Sequence, residues 1–133
     1  MVVCARRRFQ FSVLLKVVTL NVNGIRSAAG KGLFRWLAAQ KADVICLQEI
    51  KAQEVDLDGA GFSIKGCERY LHSAQKKGYA CVALYSRRKP RSVVMGFGVR
   101  EFDDEGRFLE ANFGTLSVIS LYLPSGSAGP HRQ

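Results

Sequence analysis

The apolar positions along this chain follow two different spacings, and each spacing places an element. Residues 14–22 form an almost unbroken run of aliphatic and β-branched side chains, the pattern of a buried strand. Asn23-Gly24 ends the run, since Gly accepts turn conformations that other residues resist. Residues 33–40 change period: Leu33, Trp36 and Leu37 fall on one face at i, i+3 and i+4, while Lys31, Arg35 and Lys41 point elsewhere. Residues 43–48 (DVICLQ) return to a short buried strand. Strand, helix and strand within this distance make a βαβ-like unit and predict an α/β class, mostly strands with one clear helix.

Further along, residues 51–61 are polar, contain Gly59 and Gly61, and read as a loop. Residues 62–64 and 69–73 read as short strands, residues 75–78 as a basic turn, and residues 79–86 (YACVALYS) as a strand that ends before Pro90. Residues 92–95 read as another strand and residues 103–106 (DDEG) as a turn. Residues 107–113 and 115–123 then predict a hairpin around Gly114. In the second arm Leu116 and Val118 lie on one face, with Ile119 and Leu121 on the other. A strand apolar on both faces needs cover on both sides. Residues 124–133 are rich in Pro, Gly and Ser and predict an unstructured tail.

Charge changes this picture. Twenty Lys and Arg against 11 Asp and Glu give a formal charge of +9. Such a surplus attracts phosphate backbones or an acidic surface, or simply keeps a protein soluble. It is uneven: no acidic residue precedes Asp43, and Arg87, Arg88, Lys89 and Arg91 form a second basic run. Arg6, Arg7 and Arg8 ahead of apolar residues 9–15 have the outline of a signal or transit peptide. Lys16 interrupts the apolar run, however, and no small-residue cleavage site follows. Residues 1–14 therefore read as a disordered basic extension, or as translation begun upstream of the natural start.

The cysteines Cys4, Cys46, Cys67 and Cys81 form no C-x-x-C pair, and His72 and His131 give no zinc spacing. Cys46 and Cys81 sit in apolar runs as small buried hydrophobes, which suits a reducing cytosol and a cytoplasmic location. No stretch reaches transmembrane length, so no membrane partner is expected.

Candidate chemistry gathers where predicted strands end, the usual ligand position in open α/β sheets. Asn21 and Asn23 alternate along one strand end and so point the same way, offering amide oxygens to a cation or hydrogen bonds to a phosphate. Asn-Gly is equally a common turn dipeptide. Glu49, after Leu47-Gln48, puts a carboxylate at the mouth of a buried strand; Mg²⁺ often takes only one or two carboxylates, with water and phosphates completing its shell. Alone, it would read as an ordinary solvated Glu. Tyr122, in Leu121-Tyr122-Leu123-Pro124, can donate a phenol to a phosphate oxygen or serve as a rim tyrosine of the core.

Taken together, these segments resemble one family in order, spacing and flanking text. VVTLNVNGIRSA, FRWL, ADVICLQEIK, KKGYACVALYSRRKP, DDEGRFLEANF and SLYLPSGS are similar to the exonuclease III branch of the endonuclease/exonuclease/phosphatase superfamily, the AP endonucleases. The resemblance runs from about residue 15 to residue 126. It implies a partial domain over residues 15–126, the N-terminal half of a four-layered, DNase I-like α/β sandwich, followed by a truncated tail at 127–133. It implies catalytic roles for Asn21, through hydrogen bonding, and for Tyr122, at the scissile phosphate. Glu49 would be the direct metal ligand, with Asn23 near the metal. Arg26, Lys51, Lys77, Gly78 and Tyr79 would contact DNA.

The implied cofactor is Mg²⁺, with Mn²⁺ as the alternative. The implied partner is double-stranded DNA with abasic sites, cut on the 5′ side, with 3′-exonuclease activity alongside; no obligate protein partner is implied. The family draws its base and further catalytic residues from a Gly-Asp-x-Asn segment, a later Asp and a terminal Ser-Asp-His, none of which occurs here. The expectation is therefore a DNA-repair nuclease fragment, inactive alone. The alternatives are a non-catalytic nucleic-acid-binding module and a non-functional truncated product. The N-terminal half is further expected to supply chiefly one sheet, leaving that sheet's inner face uncovered and prone to aggregation.

Overall fold

The computed structural model describes residues 2–8 and 14–124. Its strands are β1 (Val2–Arg8), β2 (Leu14–Asn21), β3 (Val44–Gln48), β4 (Glu68–His72), β5 (Val82–Ser86), β6 (Ser92–Met95), β7 (Phe108–Asn112) and β8 (Ser117–Leu121). Its helices are α1 (Ile25–Gly30), α2 (Leu33–Gln40) and α3 (Arg100–Asp103), and 3₁₀ turns span Glu54–Leu57 and Ala60–Phe62. The class is the α/β expected, mostly strands. No described helix is long and apolar enough to cross a membrane.

A five-stranded mixed sheet runs in the order β1-β2-β3-β5-β4. β2 and β3 are parallel, with Asn21 opposite Gln48 at their shared end, and α1 and α2 make the crossover. Strand β3, expected as a short buried strand, is covered on both faces. Ile45 and Leu47 face a core with Leu33 and Leu37 of α2, Ile25 of α1, Leu57 and Tyr85. Val44 and Cys46 face the other way, into a second core with Val82, Leu84, Leu109, Ala111 and Val118. Each fully buried Leu or Ile in these cores contributes about 1.5–3 kcal/mol. The Tyr85 hydroxyl, inside the first core, donates to the Phe62 carbonyl at 2.7 Å, and burial pushes its pKa up to about 12.

The second core corrects one expectation. Strands β6, β7 and β8 form a separate three-stranded antiparallel sheet, and its Leu109, Ala111 and Val118 cover the inner face of the larger sheet. The described residues thus supply strands to two facing sheets. Apolar surface is left open on the outer face of the smaller sheet. There Val94, Glu110 and Ile119 lie in one row, and Val94 and Ile119 are each 48% exposed. The two-faced apolar pattern of β8 is real, but only its Val118 face is covered.

The expected disordered extension is also corrected over residues 2–8. β1 pairs antiparallel with β2 from Val2 opposite Leu20 to Arg8 opposite Leu14. This pairing satisfies the outer backbone edge of β2, which would otherwise be an open template. Residues 9–13, and all of the predicted tail at 124–133 beyond residue 124, lie outside the described residues.

Smaller differences have local causes. Residues 62–64 are not a strand; Phe62 closes a 3₁₀ turn and packs edge-on against Phe34, with centroids 5.9 Å apart. The strand expected from residue 79 begins at Val82, because Cys81 takes φ of 51°. The acidic turn at residues 103–106 is entered through α3 and closes at Gly106. A Cβ on Gly106 would come within 2.5 Å of the His72 carbonyl oxygen, and its φ is +63°.

Candidate active site

The site forms where β2, β3 and β8 end together. Asn21 is the last residue of β2, Glu49 follows the last residue of β3, and Tyr122 follows the last residue of β8. Ser120 locks the two sheets in register beneath them. The Gln48 Nε2 donates to Ser120 Oγ at 3.2 Å and to Thr19 Oγ1 at 3.1 Å, and Ser120 Oγ donates to the Leu47 carbonyl at 3.4 Å. The Tyr122 backbone N–H donates to the Arg107 carbonyl at 2.9 Å, which extends the β7–β8 pairing by one residue.

The Glu49 carboxylate is the centre of the cluster. Its Oε1 accepts from Asn21 Nδ2 at 2.8 Å, and its Oε2 lies 3.3 Å from the Lys51 ammonium. The Tyr122 side chain also hydrogen bonds to it. The Asn21 hydrogen bond and the Lys51 charge hold its pKa below the ordinary value, against the opposing effect of partial burial. Asn21 is fixed from both ends: its Oδ1 accepts the Asn23 backbone N–H at 3.0 Å, which leaves its NH₂ facing the carboxylate. Lys51 Nζ donates in turn to Asn23 Oδ1.

The backbone bends hard to achieve this. Asn23, Glu49 and Lys51 have φ of 46°, 52° and 55°, three of the five described non-glycine residues with positive φ. For Glu and Lys this left-handed region costs about 1–2 kcal/mol each. Hydrogen bonds on both sides hold the segment there. Gly24 N–H donates to Glu49 O at 2.8 Å and Ile25 N–H to Ile50 O at 3.0 Å. On the other flank, Ile50 N–H donates to Cys81 O at 3.2 Å and Lys51 N–H to Ala80 O at 3.3 Å.

The structure thus brings Asn21, Asn23, Glu49, Lys51 and Tyr122 into one cluster, while the other candidates flank it. Arg26 is exposed on α1, just past the Gly24–Ile25 flank. Lys77 and Gly78 are exposed in the β4–β5 turn, and Tyr79 beside them is half-buried, leading into the Ala80–Cys81 flank. Lys76 was not singled out by the sequence pattern; its Nζ sits 4.9 Å from the centre of the Tyr79 ring. Gln48 and Ser120 were missed as well, although LQE and SLY place both directly beside residues that were found.

The donors facing the cluster are hard oxygens, the type a Mg²⁺ or Mn²⁺ ion prefers. Among the described residues no three His, Cys, Asp or Glu side chains gather tightly enough to hold a metal ion by themselves. The arrangement fits a one-carboxylate site whose remaining ligands are water and phosphate oxygens.

Residues 18–133 match the family described as Endonuclease/Exonuclease/phosphatase. The chain belongs to the endonuclease/exonuclease/phosphatase family. Its relatives within that family are exodeoxyribonucleases and AP endonucleases. An exodeoxyribonuclease of Bacillus subtilis is 37% identical over 121 residues, which is 89% of this chain and 46% of the relative. The DNA repair nuclease APEX1 of Danio rerio is 33% identical over 86% of this chain and 38% of its own. Among solved structures, an AP endonuclease from Archaeoglobus fulgidus superposes with a TM-score of 0.70 at 34% identity, over 83% of this chain and 41% of that one. The chain therefore spans less than half the length of each of these relatives.

Proposed function

We propose that this chain carries the phosphate-facing part of a divalent-cation-dependent DNA-repair nuclease that cuts double-stranded DNA 5′ to abasic sites and trims 3′ ends. The observation that carries the reading is the convergence of Asn21, Glu49 and Tyr122, from three strands of two sheets, on one carboxylate. The names of the relatives, an exodeoxyribonuclease, a DNA repair nuclease and an AP endonuclease, support the same class.

Glu49 would hold Mg²⁺, or Mn²⁺ in its place, with Asn23 supplying an amide oxygen nearby. When bound, the ion neutralises charge that develops on the phosphate during cleavage. Asn21 orients the carboxylate from one side. Tyr122, whose phenol hydrogen bonds to Glu49 in the absence of substrate, would turn it to a nonbridging phosphate oxygen when DNA binds. Arg26, Lys51 and Lys77 supply positive charge along the DNA backbone, and the half-buried Tyr79, backed by Lys76, gives an aromatic face at the groove. Gly78, with no side chain, lets the turn approach the backbone closely.

Hydrolysis also needs a base to activate water, and the sequence holds neither Gly-Asp-x-Asn nor Ser-Asp-His. On this reading the chain alone binds its substrate and does not cut it. The test is an abasic duplex incubated with the chain in Mg²⁺, with binding followed by filter retention across a salt series. Salt-sensitive binding without incision is expected. Incision that disappears in Glu49→Ala would overturn the inactivity.

The formal charge of +9 favours a second reading, a non-catalytic nucleic-acid-binding module. Such a module binds intact and abasic duplexes equally and ignores Mg²⁺, which separates it from the nuclease reading.

A further inference from the structure

The oxygens best suited to a divalent cation already face a cation of the protein's own. Lys51 Nζ lies 3.3 Å from Glu49 Oε2 and donates to Asn23 Oδ1. Those two atoms belong to the residues assigned above to the metal. The ammonium and the carboxylate cancel, so this pair carries no net charge. Nor is the Lys51 placement casual. Its backbone sits at φ of 55°, where the bond from its N–H to the Ala80 carbonyl at 3.3 Å anchors it, and its side chain reaches oxygens of both Glu49 and Asn23. The Lys51 side chain is 41% exposed and the Glu49 side chain 19%, so the ammonium is the more open of the two to solvent.

We propose that Lys51 is a built-in counter-ion that occupies the cation position between Glu49 and Asn23, so that a divalent metal binds by displacing it. The proposal rests on the reading of Glu49 as the metal carboxylate. Two cations a few ångströms apart over one carboxylate repel each other, and a divalent ion doubles that repulsion. Binding the metal therefore pushes the Lys51 ammonium outward along its flexible stem. Once released, the ammonium is free to meet a DNA phosphate. Metal and DNA then bind cooperatively, because each relieves a charge conflict that the other would face. Without metal, the same ion pair keeps the carboxylate from being left as an isolated charge.

The experiment measures Mn²⁺ binding to the full chain without DNA, from the electron paramagnetic resonance signal of free Mn²⁺. Wild type is compared with Lys51→Met, Lys51→Arg and Glu49→Gln at one ionic strength. Lys51→Met is expected to bind Mn²⁺ about tenfold tighter, given one unit charge removed at close range from a partly screened site. Lys51→Arg, which keeps the charge, is expected to stay near wild type, and Glu49→Gln to lose the site. Lys51→Gly, which also relieves the positive φ, takes the place of Lys51→Met if that variant does not fold. If Glu49→Gln abolishes binding while Lys51→Met binds as wild type does or more weakly, the counter-ion role is wrong and the metal site stands. If Mn²⁺ binding is missing from wild type and Lys51→Met alike, or survives Glu49→Gln, the metal reading of Glu49 fails and this proposal fails with it.

Discussion

The side-chain amide of Asn21 donates to Glu49 Oε1 at 2.8 Å, and this bond joins the ends of two parallel strands. It is also the largest influence holding the Glu49 carboxyl below its ordinary pKa of 4.5. The bond therefore links strand-end geometry to the charge state of the site.

Asn21→Ala should let the Glu49 pKa rise toward the ordinary value. The direction of the linked stability follows from the shift. A carboxyl whose folded pKa is depressed stabilises the fold above its unfolded pKa, and that contribution is lost as pH falls through the lower folded value. Wild type should thus lose this contribution only below pH 4.5, whereas the variant should have less of it to lose. Carbon NMR titration of the Glu carboxyls measures the shift directly. An unchanged Glu49 titration in Asn21→Ala would remove the amide from the account.

The two faces of the small sheet should answer substitution differently. Leu109 is fully buried between the sheets, so Leu109→Ala should cost about 2–5 kcal/mol in urea unfolding. Ile119 lies on the open face beside Glu110. Ile119→Lys should change stability by only about 0.5 kcal/mol and should reduce self-association, since it places a charge in an exposed apolar row. Light scattering at matched concentrations reads the second effect. Equal destabilisation by both variants would contradict the assignment of the two faces.

Much of this arrangement was legible in the residue pattern, and the reasons are local. The 3.6-residue spacing of Leu33, Trp36 and Leu37 placed α2 at its observed bounds, and residues 92–95 matched β6. The apolar run at residues 43–48 signalled a buried strand, though not that it lies between two cores. By contrast, α1 has only Ile25 as a buried anchor, too little for a periodic signal. β1 was hidden because a strand added at an edge is specified by backbone pairing, while Arg6, Arg7 and Arg8 read as a solvated tail.

In the site, Asn21, Glu49 and Tyr122 could be found because strand ends and family text mark them. The contact of Lys51 with Asn23 could not, because it joins residues 28 positions apart across two strand ends. The bond from Gln48 to Ser120 spans 72 positions and becomes visible only when two sheets face each other.

The exposed basic residues beside the cluster should act through charge. Arg26→Glu and Lys77→Glu should each weaken duplex binding similarly across sequences and reduce the salt dependence by about one phosphate equivalent. Fluorescence anisotropy across a salt series measures both. A charge reversal at either position that leaves the salt slope unchanged would take that residue out of the DNA path.

The central claim is that Glu49 couples a divalent cation to a DNA phosphate at this strand-end cluster. Its most direct test is the affinity of the chain for an abasic duplex with and without Mg²⁺, at constant ionic strength, in wild type and in Glu49→Gln. Mg²⁺ is expected to tighten binding by wild type and to have no such effect in Glu49→Gln. Mg²⁺ acting alike on the two proteins, or on neither, would contradict it.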